Sequence, residues 1–212
     1  MPKESFRMGI VAKKKGFGTL DRREAVPKLV GEPKDFLIIT GVGGAKGDTA
    51  QLCGPDADFY AAASAMGSAT MVGLGLALAQ PGRKVLVITG DGELLMNVGS
   101  LATVSVMNPP NLSILCIDNG HYWETGGQTC HTALSTDLAM MAAGAGIGTV
   151  KTVTRESEFS EAASILRADN GPSFVLLKVK PGDPPKVRSV KDTAWIRQSF
   201  RSAIAAPKDT FA

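Results

Sequence analysis

Apolar positions along this chain cluster into short runs separated by longer mixed segments. Phe36-Leu37-Ile38-Ile39-Thr40 is one such run; Lys84-Val85-Leu86-Val87-Ile88-Thr89 and Leu112 to Ile117 are two more. Runs of this length without alternation read as strands covered on both faces, as in a parallel sheet. Thr149–Val153 and Phe174–Val179 continue the series. Helical patterns lie between them. Asp21 to Val30 has Asp21 as its cap, and Gly67 to Ala79 ends at Pro81-Gly82. A third helix carries Leu94, Val98, Leu101 and Ser105 on one face until Asn108-Pro109-Pro110 stops it; Asp137 to Ala143 and Ser157 to Arg167, capped by Ser157, follow. Gly41, Gly43, Gly44 and Gly47 read as a loop. Strand-helix alternation with short links predicts an α/β fold with an open, doubly wound, mostly parallel sheet. Residues 1–20 read as an irregular leader, 21–180 as the domain, and 181–212 as a tail, partly helical near Trp195–Ile204 and free to dock elsewhere.

With 212 residues, 44% hydrophobic and 20% charged, the chain can bury a core without disulfide or metal staples. The net charge of +3 is spread along the sequence. The densest basic run, Lys13-Lys14-Lys15, sits in the leader without interleaved aromatics and reads as solvated, so nucleic-acid binding is discarded. Cys53, Cys116 and Cys130 are far apart and form no CxxC pair. They suggest neither a disulfide framework nor a zinc or iron–sulfur site, and they point to a reducing, cytoplasmic setting. The N-terminus lacks the layout of a signal peptide. Ala61 to Gln80 is twenty residues without a charge, long enough to cross a bilayer. Alanine, glycine, serine and threonine dominate it, however, so it reads as a buried helix in close contact with its neighbours rather than a membrane span.

Ligands of a parallel sheet sit beyond the carboxyl ends of its strands. Gly90-Asp91-Gly92 falls there, between a strand and a helix. The backbone N–H groups of Gly92 and Glu93 and the helix dipole attract a phosphate, and the glycines let backbone approach it closely. Asp91 repels a bare diphosphate unless a divalent cation lies between them; magnesium takes one or two protein oxygens plus phosphate oxygens. Asn119 ends the next strand and offers a neutral oxygen as a second ligand. The bland alternative is that Asp91 caps its helix and Asn119 makes a turn.

The GDG opening and closing asparagine match the signature of thiamine diphosphate enzymes. Gly90-Asp91-Gly92-Glu93-Leu94-Leu95-Met96-Asn97-Val98-Gly99-Ser100-Leu101-Ala102-Thr103 resembles the phosphonopyruvate and sulfopyruvate decarboxylases. So do Asp58-Phe59-Tyr60, Met66-Gly67, Gly73 to Ala79, Asp118-Asn119-Gly120 and Thr125-Gly126-Gly127-Gln128. The resemblance implies thiamine diphosphate and Mg2+ as cofactors, with Asp91, Asn119 and the main-chain carbonyl of His121 on the metal. It also implies that Gly90, Gly92 and Glu93 line the diphosphate, that Ser64-Ala65-Met66-Gly67 faces the aminopyrimidine, and that Val42 is the apolar residue bending the cofactor. The arginine these relatives carry in the loop after the first strand is missing from residues 40–48, and Lys46 only partly replaces it, which argues against a phosphonate or sulfonate substrate.

Such enzymes pair a diphosphate-binding domain with a pyrimidine-binding domain that brings an activating glutamate. This chain has room for the first alone, so the resemblance implies a partner subunit of the alpha type, as in heteromeric sulfopyruvate decarboxylases. The implied reaction is decarboxylation of a small 2-oxo acid, with carboligation or oxidative transfer as alternatives within the same cofactor class. A nucleotide-binding or scaffolding α/β module is the non-enzymatic alternative. Glu124 is placed by the resemblance to deliver a proton after carbon dioxide leaves; the competing reading is a solvated loop carboxylate. His121 is a proton shuttle or contributes only its backbone. Tyr122 is a further catalytic candidate for orienting substrate or moving protons, or else walls the pocket or simply packs, and Gln128 is the candidate substrate contact.

Overall fold

A computed structural model describes residues 17–54, 60–62, 65–187 and 192–205; Lys13-Lys14-Lys15 and Ser64 lie outside them. In chain order the elements are α1 (Arg22–Val30), β1 (Phe36–Thr40), α2 (Gly44–Cys53), β2 (Tyr60–Ala62), α3 (Ala69–Ala79), β3 (Lys84–Gly90), α4 (Asp91–Met96) and α5 (Ser100–Met107). There follow β4 (Leu112–Asp118), β5 (His121–Tyr122), β6 (Gln128–Thr129), α6 (Leu138–Gly144), β7 (Thr149–Val153), α7 (Phe159–Arg167), β8 (Ser173–Lys178) and α8 (Thr193–Ala205).

Six strands form one sheet in the order β2-β1-β3-β4-β8-β7, and every neighbouring pair is parallel. Side chains alternate across it. Phe36, Ile38, Leu86, Ile88, Leu115 and Val175 pack under α1, α2 and α7. Leu37, Ile39, Val85, Val87, Ile114 and Phe174 pack under α3, α5 and α6. Covering both faces explains why the strands read as unbroken apolar runs. Each such fully buried side chain contributes roughly 1.5–3 kcal/mol. The small residues of α3 serve close approach: a Cβ on Gly73 would overlap the Val87 side chain. The chain leaves β1 and β3 toward opposite faces, with Ala45 of α2 in the first layer and Leu94 of α4 in the second. This divergence opens a crevice between the two strand tips.

Several local expectations are corrected. The glycine-rich stretch after β1 is mostly helix, and its glycines serve close contact rather than a loop: Gly44 and Gly47 face the Arg22 guanidinium and the Pro185 carbonyl, where a Cβ would not fit. The helix expected across Leu94–Ser105 is two. Asn97 donates its side-chain amide to the Gly67 carbonyl (3.1 Å) and its backbone leaves the helical region (φ −145°), which breaks the run between α4 and α5. Ser157 is not a cap: it lies inside a short 3-10 turn, Glu156–Glu158, that precedes α7. There Glu158 accepts from the N–H groups of Thr154 (2.7 Å) and Arg155 (3.1 Å).

The uncharged stretch 61–80 is a short strand followed by α3, and α3 is covered on one side only: Met71, Val72 and Leu78 remain exposed. Among the described residues, no helix is long and apolar enough to cross a membrane. Near the termini, Leu20 bridges to Val179. Asp183 accepts from Arg23 (2.9 Å) and from the Trp123 indole (2.5 Å), while α8 buries Ala203 and sets Phe200 and Ile204 against the second layer.

Candidate active site

The tips of β1, β3 and β4 and the β5–β6 hairpin enclose a cavity of about 170 Å³. Asp91 is 3% exposed and Asn119 5%, and both line this cavity with Val42, Met66, Gly90, Gly92, Glu93, His121, Tyr122 and Glu124. Close approach at two glycines makes the geometry possible. The Glu93 carboxylate occupies the space where a Gly41 side chain would begin, and the Tyr122 ring lies 2.5 Å from where a Cβ on Gly92 would stand. A larger hollow of about 590 Å³ lies at the opposite, amino ends of the strands between Lys34, Lys84 and Arg167 and contains none of these residues.

Below the cavity two carboxylates share donors. The Gly120 N–H reaches Asp91 Oδ2 (3.1 Å) and Asp118 Oδ1 (3.0 Å). The Thr132 hydroxyl lies 2.8 Å from the same Asp91 oxygen and 2.9 Å from the same Asp118 oxygen. Asp118 is further held by the Lys178 ammonium (2.6 Å). Among the described residues no cation pairs with Asp91. Burial, then the charge of Asp118, push its carboxyl up to about 6. Glu93 accepts from the Thr89 hydroxyl (2.5 Å), and burial raises its carboxyl as well. Arg22 meets Asp48 through paired nitrogens in a buried ion pair beside the same cavity (Nε–Oδ1 2.9 Å).

Three comparisons bear on these residues. Residues 41–177 match the family described as thiamine pyrophosphate enzyme, C-terminal TPP binding domain. The chain belongs to that family. It is 37% identical to a phosphonopyruvate decarboxylase of Streptomyces viridochromogenes, over 88% of this chain and 47% of that protein. It is 36% identical to the beta subunit of sulfopyruvate decarboxylase of Methanothermobacter thermautotrophicus, over 77% of this chain and 84% of that one. The chain therefore spans about half of the first relative and most of the second. The thiamine diphosphate-dependent 4-hydroxybenzoylformate decarboxylase of Rhodococcus jostii shares the fold, with a TM-score of 0.60 at 19% identity over 81% of this chain and 34% of that one.

Within this TPP-binding domain, most of the residues singled out in the sequence meet in the cavity. The hairpin positions three of them. His121 donates its backbone N–H to Asn119 Oδ1 (3.0 Å) and its ring Nδ1 to the Asn119 carbonyl (3.0 Å), and its ring packs against Phe17 at 5.1 Å. Tyr122 covers Gly92 while its hydroxyl meets His131 Nδ1 (3.0 Å); burial, then the bond to Cys130, push its phenol up to about 12. Glu124 is exposed and leans over the loop after β1, its Oε2 3.6 Å from where a Cβ on Gly43 would sit. Gln128 does not reach the cavity: its amide is taken by Thr125 at both ends, at 3.0 and 2.9 Å. Ala65 sits outside the lining; its carbonyl accepts from the Ser68 hydroxyl (2.6 Å). The residues missed were Thr132, Lys178 and the role of Asp118. Asp118 had a signal, since it directly precedes Asn119 at the strand tip; the other two had none.

Proposed function

We propose that this chain is the diphosphate-binding, beta-type subunit of a thiamine diphosphate-dependent 2-oxo acid decarboxylase. The reading rests chiefly on one observation: Asp91 and Asn119, at adjacent strand tips, line one cavity, and the buried Asp91 has no cationic partner among the described residues. A buried carboxylate crowded by a second one fits a divalent cation, which relieves the repulsion. One carboxylate plus neutral oxygens is the donor set magnesium prefers, with phosphate oxygens and water filling the octahedron. Among the described residues no group of three or more His, Cys, Asp or Glu could hold a metal ion, so the proposed site relies on one carboxylate, neutral oxygens and the phosphate oxygens of the cofactor.

Asp91, Asn119 and the His121 carbonyl are the proposed Mg2+ ligands, and Gly90, Gly92 and Glu93 the diphosphate cradle. Val42 and Met66 supply apolar walls. Ser64 and Ala65 complete the proposed pyrimidine-facing loop, Ser64 lying outside the described residues. Bound thiamine diphosphate supplies the electron sink for loss of carbon dioxide. The chain's part is to hold that sink and to manage protons. Glu124 is the proposed proton donor, exposed enough to exchange with solvent and directed across the cavity mouth. Tyr122 orients and covers, since its raised phenol holds its proton at neutral pH. His121 fixes the Asn119 turn. The Gln128 side chain, occupied by Thr125, is left out of the proposed substrate contacts.

Relatives named as beta subunits support an alpha-type partner, which is proposed to bring the activating glutamate to the open cavity. The small 2-oxo acid and a cytoplasmic setting, with which three free thiols agree, belong to the same proposal. The test is calorimetric titration of thiamine diphosphate with Mg2+ into the native complex and its Asp91→Ala counterpart, with carbon dioxide release from 2-oxo acids alongside. Binding lost in the variant and turnover absent from the isolated chain are expected. Unchanged binding, or decarboxylation by the chain alone, overturns the reading.

A further inference from the structure

The two layers of helices differ sharply in what they show to solvent. α1, α2 and α7 expose charged side chains, among them Arg23, Glu24, Lys28, Lys46 and Glu161. On the other side, α3, α5 and α6 contain no charged residue along their lengths. Their exposed positions are uncharged, large apolar side chains alternating with small residues such as Ala102, Thr103 and Ala143. Val106 is 83% exposed, Met140 74%, Met107 48%, Val72 and Leu78 45%, Met141 41% and Met71 38%. α5 touches both α3 and α6, so the three helices lie side by side in one layer. The chain's own α8 packs on the same layer through Phe200 and Ile204 yet leaves these side chains uncovered.

A stable monomer rarely exposes a contiguous apolar patch of this kind, and the fully buried centre of a permanent interface is depleted of charge in this way. Flexible methionines suit such a contact because they fill irregular gaps. The patch runs into the mouth of the active-site cavity. Met66 and Met96 line that cavity and are 68% and 55% exposed, and the Asn97–Gly67 hydrogen bond ties the end of α4 to the loop before α3.

We infer that the outward face of α3, α5 and α6 is the docking surface for the second subunit, the one that completes the cofactor site. The inference rests on the half-site reading above, because continuity with Met66 and Met96 is what selects that subunit over a second copy of this chain. A wall closing the cavity past these two methionines meets α3, α5 and α6, which carry no charge, while the arginines of this layer, Arg197 and Arg201, lie on α8.

Methionine oxidation gives a direct readout, since six of the eight methionines lie on this face or its rim. The isolated chain and the native complex, purified through a tag on this chain, are exposed to hydroxyl radicals and analysed by mass spectrometry. At least fivefold slower oxidation of Met71, Met107, Met140 and Met141 is expected in a complex holding two kinds of polypeptide. Rates unchanged in such a complex overturn the inference while leaving the decarboxylase reading intact. Protection in a complex without decarboxylase activity supports the docking face and removes the activity. Protection in an oligomer of this chain alone assigns the face to a second copy and overturns the proposed occupant. Val106→Glu, at a position with no packing to lose, is expected to weaken the two-chain complex at least tenfold without changing the melting temperature of the chain; full affinity in that variant counts against the face.

Discussion

Replacing Asp91 by asparagine should stabilise the metal-free chain at neutral pH while destroying its cofactor site. The carboxyl is raised from an ordinary value of 3.8 to about 6 by burial and by Asp118. Between those two values the folded chain binds more protons than the unfolded one, so this group makes stability fall as pH rises through the window, and the penalty persists above it. A shift of about two units at 1.36 kcal/mol per unit corresponds to about 3 kcal/mol carried by the ionised side chain at pH 7. Asparagine keeps the shape and can still accept from Gly120 and Thr132, but it carries no charge. Urea unfolding of both chains without magnesium, at pH 4.5 and 7.5, measures the difference. Asp48 and Glu93, also raised by burial, tilt both curves alike. The asparagine variant is expected to be more stable by about 3 kcal/mol at pH 7.5 and by only about 1 kcal/mol at pH 4.5, inside the window. Thiamine diphosphate with Mg2+ should stabilise only the wild type, by mass action. Equal or lower stability of the variant at pH 7.5 refutes the picture of a carboxylate awaiting a cation.

The same charge balance makes Lys178 a structural necessity, because it is the cation on buried Asp118. Lys178→Met should cost about 3–5 kcal/mol in urea unfolding, the usual result of stranding one member of a buried pair; a loss under 1 kcal/mol would show that Asp118 needs no partner. Thr132→Val, nearly isosteric, removes the hydroxyl from both carboxylates and should destabilise the metal-free chain by about 1–3 kcal/mol, with a smaller loss when Mg2+ and cofactor are present. Equal losses with and without ligand would detach Thr132 from the metal site. Glu124→Gln in the native complex should lower kcat about a hundredfold, the common scale of general acid catalysis, and leave cofactor affinity unchanged in calorimetry; undiminished turnover returns Glu124 to the solvated loop.

The fold was readable wherever one local rule governed a segment. Strands buried on both faces cannot alternate, and β1, β3, β4 and β8 announce themselves by unbroken apolar runs. Asp91 and Asn119 were readable because each sits at a strand end, so reading the strands already assigned them to one edge. What remained hidden depends on distant partners. Thr132 meets Asp91 across 41 positions and Lys178 meets Asp118 across 60, and no local pattern records either meeting. Gly44 and Gly47 read as loop because glycine signals conformational freedom, whereas here it makes room for Arg22 and Pro185 inside a helix.

The stretch 61–80 carries a different lesson. Its lack of charge signals burial, and the folded chain buries only one side of α3, through Ala69, Thr70, Gly73, Leu74 and Ala77. A sequence records the surface covered in the working assembly, not in one chain. The same mismatch recurs on α5, where Leu101 and Val104 are buried and Val106 and Met107 are bare, and on α6, where Leu138 and Ala142 are buried and Met140 and Met141 are bare. Three helices on one side of the sheet, each uncharged beyond what its own packing requires, are hard to attribute to the requirements of a lone domain. The surplus adjoins Met66 and Met96, which line the candidate cavity, and that adjacency is what ties the uncovered surface to the proposed partner.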